Sequence, residues 1–432
     1  MPAITVTSAF DIFAPRPVHS SVLETTEVAY KPTAGANQSD VEFVVPADND
    51  TYIHTNILLY VRGKLTKAEG TNLDATDFTA GTNNLLHSLF SQCNIALNGT
   101  TITPAMDLYN YRSYFETILS YGSDAAASHL TNAFWYLDDG DLLPCDPTTA
   151  DANNKEFIAR WNRMKQSKEI QLYGRLHSDI CNVSRFLLPG VQLYIRLTKA
   201  KPTFYLMNKD VKSETVFKFL DAQLLVNRVR ANSDILTAHN IALRQGPVAL
   251  YNMTRVELKT FTFSSGSQSL SIDNAVLGPI PRRLLFTMVK NSNYRGSVTT
   301  NPYRFHHYDH SYFALNVNGK QIPAEGLQLG MDHEKTSVMG YRTLFEGSGL
   351  HHSDSGLQIT HNMYIKGYFM LLFDLTPDRA ASKGHTSYPD NGNIRVELRF
   401  SKALPDSITC IFYLEFDNSI QIDYSRTVSK DF

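Results

Sequence analysis

From Val41 onward the chain falls into short runs in which apolar and polar positions alternate: VEFVV at 41–45, NILLYVRGKL at 56–65, then EIQLYGRL, VQLYIRLTK and VFKFLDAQLLVNRVR. The second half continues with MTRVELKTFTF, QSLSIDNAV, RRLLFTMVK, HSYFALNVNGK, NMYIKGYFMLLFDL, NIRVELRFSK and TCIFYLEFDNSIQIDY. A period of two, β-branched and aromatic enrichment, and bounding Gly, Pro, Asn and Asp residues predict strands. Two stretches break the alternation. Leu108, Tyr111, Phe115, Ile118 and Leu119 recur at helical intervals within 107–121. Ile235, Leu236, Ile241 and Leu243 do the same within 233–245, behind Ser233 as N-cap and ahead of a glycine.

The pattern is written twice. Residues 89–122, LFSQCNIALNGTTITPAMDLYNYRSYFETILSYG, have a looser copy at 311–349, SYFALNVNGKQIPAEGLQLGMDHEKTSVMGYRTLFEGSG. Each copy is an alternating strand, an Asn-Gly hairpin signal and a Tyr-Arg-x-x-Phe-Glu box, at Tyr111–Glu116 and at Tyr341–Glu346. Further on, Arg-x-x-Lys-Ala-x-Pro occurs from Arg196 and again from Arg399. The offsets between copies are 220, 230 and 203 residues, unequal but in preserved order, as loop insertions between fixed strands produce. The repeated unit is therefore a whole domain. Short strands with turn signals every ten or so residues predict an all-β chain of two tandem β-sandwiches with short flanking helices, for which two tandem eight-stranded jelly rolls are the expected form. The predicted division is a first jelly roll at 41–232, a linker helix at 233–245 and a second jelly roll at 246–432. Each Tyr-Arg-x-x-Phe-Glu box is expected to satisfy a buried helix-to-sheet contact in its own barrel.

Two segments fall outside the duplication. Residues 1–40 show no sustained period, and Pro15, Pro17 and Pro32 exclude a long helix. They predict an extended arm, and Phe10, Ile12 and Phe13 make it apolar enough to dock on a domain or a neighbouring subunit. Between the Tyr-Arg box and the Arg-x-x-Lys-Ala-x-Pro segment the first half carries 27 more residues than the second, 85 against 58. These fall in 122–170, rich in Asp, Asn, Ala and Thr, and predict a projecting loop open to proteases near Asp151–Asn154.

Composition narrows the function. The 432 residues carry 40 basic and 42 acidic side chains, a formal net charge of −2, with no long single-sign run. Nothing advertises a sequence-specific nucleic-acid binder. The nearest basic run, RWNRMKQSK at 160–168, reads as a solvated loop or short helix. Cys93, Cys145, Cys181 and Cys410 have no C-x-x-C spacing and read as reduced, mostly core thiols. No signal-peptide pattern opens the chain and no run of about 18 apolar residues occurs, so the expected product is soluble and intracellular, not secreted. The sequons at Asn37, Asn49, Asn98, Asn182 and Asn252 then read as unused. The 24 Phe and 22 Tyr supply bulk for two sandwich cores.

Candidate chemistry is sparse. His306, His307 and His310 in RFHHYDHSY, with His351 and His352, are the best metal candidates, but the H-x-H pair and following glutamate of a cupin are missing. They read instead as surface or subunit-contact histidines able to confer pH sensitivity. Asp138, Asp139 and Asp141 lack the ligand spacing of a calcium loop and read as solvated. No nucleophile elbow, phosphate loop or H-E-x-x-H is present. The residues themselves thus name no catalytic, cofactor-binding or metal site.

Several segments together carry a resemblance: FDIFAPRPVHSSV in the arm, NDTYIHTNILLYVRGKL, HSLFSQCNIALNG with YNYRSYFETILSYG, LYGRLHSDI followed by PGVQLYIRL, and AQLLVNRVRANSDILTAH. In order and spacing the chain resembles the double jelly-roll major capsid proteins of Polinton/Maverick elements and adintoviruses, relatives of adenovirus hexon and virophage capsid proteins. Ile53-His54-Thr55 departs from the Asp-Leu found there in many relatives. The resemblance implies a structural protein, not an enzyme. It implies a homotrimer forming a pseudo-hexagonal capsomer, neighbouring capsomers and a penton (minor capsid) protein as partners, and residence in the icosahedral shell of a virion. The alternatives are a tandem jelly-roll carbohydrate-binding or attachment protein and, more remotely, a metal-dependent cupin enzyme.

Overall fold

The computed structural model describes residues 19–104, 106–139, 142–149, 152–211, 214–331, 338–388 and 390–430. The barrel strands of the first half are β1 (Val22–Tyr30), β2 (Asp40–Val45), β3 (Leu58–Lys67), β4 (Phe90–Leu97), β5 (Thr100–Thr101), β6 (Ile170–Arg175), β7 (Leu193–Lys199) and β8 (Thr215–Ala231). Those of the second half are β9 (Ala249–Phe263), β10 (Ser269–Pro279), β11 (Arg283–Lys290), β12 (His310–Val317), β13 (Lys320–Gln328), β14 (Met370–Asp374), β15 (Asn391–Phe400) and β16 (Ile408–Ile422). Four helices matter below: α1 (Tyr109–Ser120), α2 (Lys155–Met164), α3 (Ser233–Arg244) and α4 (Val338–Ser348).

In the first half the antiparallel strand orders are β1-β8-β3-β6 and β2-β7-β4-β5. In the second they are β9-β16-β11-β14 and β10-β15-β12-β13, the same order with every label raised by eight. Each half is thus one jelly roll, and the duplication read from the motifs extends to the connectivity. The Asn-Gly turns match in detail. Asn98 (φ 47°) and Gly99 (φ 83°), like Asn318 (φ 50°) and Gly319 (φ 80°), take the left-handed pair of a type I′ hairpin, whose twist suits the flanking strands. In each copy the Asn side chain also accepts a main-chain N–H at the start of the neighbouring strand in the sheet, from Gln192 just before β7 to Asn98 at 2.7 Å and from Asn393 in β15 to Asn318 at 3.0 Å.

Alternation builds the first barrel: β2 buries Val41, Phe43 and Val45, while β3 buries Leu59, Val61 and Leu65. In the second barrel β11 buries every residue from Leu284 to Val289, and β16 every residue from Ile408 to Leu414. A strand buried on both sides needs cover on its outer face as well as its inner one.

Two sequence expectations are corrected here. Val22–Tyr30 belong to the barrel and not to an arm, because they pair along β8 from Ala231 to Leu224. Polar residues at four of these nine positions hid the strand: it is an edge with little to bury. Phe10, Ile12, Phe13, Pro15 and Pro17 lie outside the described residues. Among the described residues the insertion of 122–170 is packed down over 133–138 and 154–167, not projecting there, while Asp151 of the predicted nick lies outside the described residues. Trp135, Phe157, Arg160 and Met164 are all buried, and Asn154, at the predicted nick, is buried as the N-cap of α2, accepting the Phe157 N–H at 3.0 Å.

Candidate functional site

The feature that most distinguishes the molecule from two separate barrels is the junction between them. Helix α1 leaves the first barrel between β5 and β6, and buries Tyr109 in that barrel's core. Its next turns belong to the second barrel's core, where Tyr111, Tyr114, Phe115 and Ile118 pack. The Tyr114 ring stacks on Tyr303 at 4.1 Å, Phe115 meets Phe305 at 5.5 Å and Tyr413 at 6.1 Å, and the Tyr111 hydroxyl donates to the Pro302 carbonyl at 3.0 Å. Exchange runs in the other direction too, since Tyr251, Met253, Ile420 and Ile422, at the near ends of β9 and β16, sit in the first barrel's core. This reciprocal burial supplies the outer cover that β11 and β16 require.

A buried charge network locks the same surface. Arg112 on α1 donates to Asp179 at 2.6 Å and to Glu116 at 2.8 Å, and Glu116 bonds His177 at 2.7 Å. Asp179 in turn accepts the main-chain N–H of Val256 on β9 at 3.2 Å, so a first-barrel carboxylate caps the edge of the second barrel. Burial pushes the Glu116 carboxyl up, but Arg112 and His177 outweigh it and hold the group at about 2. Burial raises Asp179, and Arg112 offsets only part of that. Next to the network, His87 bonds the Tyr109 hydroxyl at 2.9 Å, and its imidazole is held well below its ordinary value by burial.

The insertion forms a second lock. Arg160, fully buried on α2, pairs with Asp138 at 2.5 Å and donates to the carbonyls of Gly81 and Tyr136. Asp138 also takes the Asn154 and Asn301 amides, and its carbonyl accepts from the Tyr368 hydroxyl at 2.7 Å. Nearby, Trp135 donates to Gln358 across the junction at 2.6 Å. Thus Asp138 is no solvated loop residue and Arg160 neither solvated nor free for phosphate. A carboxylate and a guanidinium 22 residues apart gave no local pattern from which to foresee their pairing. Asp141 lies outside the described residues.

The two Tyr-Arg-x-x-Phe-Glu boxes part company in space. In α1 the Arg112–Glu116 pair is buried; in α4 the Arg342–Glu346 pair, bonded at 2.7 Å, has side chains 51% and 41% exposed. Helix α4 lies on its own β14, with Gly347 against Leu372 and the Thr343 hydroxyl accepting the Leu372 N–H. Only the first box is buried, because only α1 has another barrel above it.

The histidines also differ from expectation. His307 and His310 are buried, His306 is mostly so, and His310 is caged by Phe286, Phe313, Phe369 and Phe400. Burial lowers His306 to about 4 and His310 to about 3. His351 and His352 are exposed and contact each other at 3.9 Å. Among the described residues no three His, Cys, Asp or Glu side chains converge as a metal set. Cys93, Cys181 and Cys410 are buried thiols, Cys145 is partly buried, and burial raises all four.

No family model matches the chain. A Caenorhabditis elegans protein of uncharacterized function is 25% identical over 354 residues, 81% of each chain. Among solved structures, PBCV-1 VP54 superposes with a TM-score of 0.63 at 11% identity, over 97% of this chain and 99% of that one. The Faustovirus major capsid protein gives 0.53 at 8% identity, over 96% and 92%. The mavirus major capsid protein gives 0.50 at 11% identity, over 100% and 94%. The chain has their fold, the double jelly roll, along essentially its whole length.

Proposed function

We propose that this chain is a major capsid protein whose work is self-assembly into an icosahedral virus shell. The observation that carries the reading is the junction. Two barrels of identical connectivity are fused by mutual burial into one block with an approximate internal two-fold repetition. Three such blocks around a closed three-fold axis present six similar barrels, a pseudo-hexagon able to tile a shell. The whole-length likeness to viral capsid proteins supports the same reading.

In this reading the chain is a homotrimer that contacts neighbouring capsomers and a penton protein, is made in the host cytoplasm or nucleus, resides in the virion, and performs no catalysis. The Polinton and adintovirus type is the finer assignment, and the resemblance of the quoted sequence segments is what supports it. Light scattering after size exclusion, with negative-stain imaging, tests the reading. The expected species is a dilution-resistant trimer of about 146 kDa, three times 48.6 kDa, with a pseudo-hexagonal outline. A stable monomer at micromolar concentration that binds glycans and forms no particles would favour a carbohydrate-binding role instead.

A further inference from the structure

A cleft of about 1490 Å³ lies beside the junction, and two sheet edges open onto it. One is β6, the last strand of β1-β8-β3-β6; the other is β9, the first of β9-β16-β11-β14. Along β9 the outward-facing main-chain groups alternate. The Leu250 carbonyl takes a guanidinium N–H of Arg185 at 2.6 Å and the Val256 N–H goes to Asp179. The same parity turns Asn252 and Thr254 outward, between these two clamps. On β6 the Leu176 N–H bonds the Ile57 carbonyl on the β3 side, so Tyr173 and Arg175 face away from β3. Among the described residues the outward main-chain groups of Asn252, Thr254, Tyr173 and Arg175 have no partner, and all four residues border the cleft.

Open edges bounded by capped ones are a template for an added strand. We propose that this cleft is a strand-docking site and that its occupant is residues 4–12 of this chain, ITVTSAFDI. That segment starts with four β-branched residues. Extended, it sets Ile4, Val6, Phe10 and Ile12 on one side and Thr5, Thr7 and Asp11 on the other. The cleft offers both matching surfaces: Leu119, Leu130 and Leu375 on one hand, Arg175, Arg282 and Arg283 on the other.

Chain length permits it. Ser21 accepts the Asn232 N–H where α3 begins, and Arg426 ties α3 to the 185–190 loop through Asn240 and the Pro189 carbonyl. The described chain therefore starts at the end of the molecule where Arg185 clamps β9. Arg175 lies three strand spacings from β1, roughly 14 Å at about 4.8 Å each, and level with Ala29, roughly 23 Å along the strand from Val22, so roughly 27 Å from where β1 begins. Residues 13–21 reach about 30 Å at roughly 3.3 Å per residue, and Pro15 and Pro17 favour an extended path.

Hydrogen exchange on the intact chain and on a chain lacking residues 2–13 tests the site. The amides of Tyr173, Arg175, Asn252 and Thr254 are expected to exchange at least ten-fold faster in the shortened chain, and a synthetic peptide of residues 2–13 should restore their protection. Thr254→Pro removes an outward N–H without breaking the β9–β16 ladder, and should weaken that peptide at least ten-fold with the unfolding midpoint unchanged. Equal exchange in the intact and shortened chains overturns the proposal, as does a peptide that binds the Thr254→Pro chain undiminished.

Discussion

Arg112 and Arg342 occupy the same place in the same six-residue box, and burial alone separates them. Removing Arg112 strands two carboxylates, one of which also caps Val256, so Arg112→Ala is expected to destabilise by about 3–5 kcal/mol. Arg342→Ala breaks an exposed i,i+4 pair and should cost no more than about 1 kcal/mol. Denaturant unfolding of the two variants makes the comparison; equal losses would show that α1 is not the clamp. His310 contributes to the pH dependence together with the mostly buried His306 and the buried His87. The His310 ring is neutral in the fold, with burial holding it at about 3, whereas an unfolded histidine titrates near 6.5. The stability it permits is complete above pH 6.5 and falls as pH drops towards 3, by roughly 1.4 kcal/mol per unit. Glu116, held at about 2, adds a loss of the same sign below its unfolded value near 4.5. His310→Leu should lessen the slope of the unfolding midpoint between pH 6 and 4.5 without abolishing it, because His306 and His87 remain, and an unchanged slope there would remove His310 from the account.

At the scale of elements, β1 and the insertion change roles relative to what their composition suggests. Strand β1 is mostly exposed, yet it covers the edge of β8 from Leu224 to Ala231. A chain starting at residue 32 should expose that edge and aggregate, which sedimentation of the shortened protein would reveal; a soluble product with the parent midpoint would contradict the pairing. The 154–167 part of the insertion should resist proteases because its helix is capped and its Arg160–Asp138 pair is dry. First cleavage is expected within 382–388 instead, a run that is nearly all exposed, with Tyr388 at 88%. Mass spectrometry of early tryptic and chymotryptic fragments would locate it, and early cuts in 155–164 would count against the packed insertion.

For the whole molecule, exchange of core residues couples the barrels. Neither core is complete without side chains from the other half, so calorimetry should record one cooperative transition and each half expressed alone should fail to give a folded monomer. Two resolved transitions would mean that the junction is a contact between finished domains. The same packing sets the angle between the barrels within one chain.

What the sequence by itself determined is whatever depends on local pattern. Period-two alternation placed the strands, Asn-Gly at 98–99 and 318–319 placed two type I′ turns, helical spacing placed α1 and α3, and the repeated boxes disclosed the duplication. One signal of the junction was also present. RLLFTMVK and TCIFYL are continuous apolar runs where the first-half counterparts, LLYVRGKL and FKFLDAQLLV, are broken by charge, and an unbroken run implies burial on both faces. Only the tertiary structure decided what provides that burial. Arg112 meets Asp179 across 67 residues, Asp138 meets Asn301 across 163 and Trp135 meets Gln358 across 223. Such pairs leave no periodic trace, because their energy comes from desolvation that exists only once the barrels have closed on each other. For the same reason identical boxes could not announce that one would be buried and the other left in water.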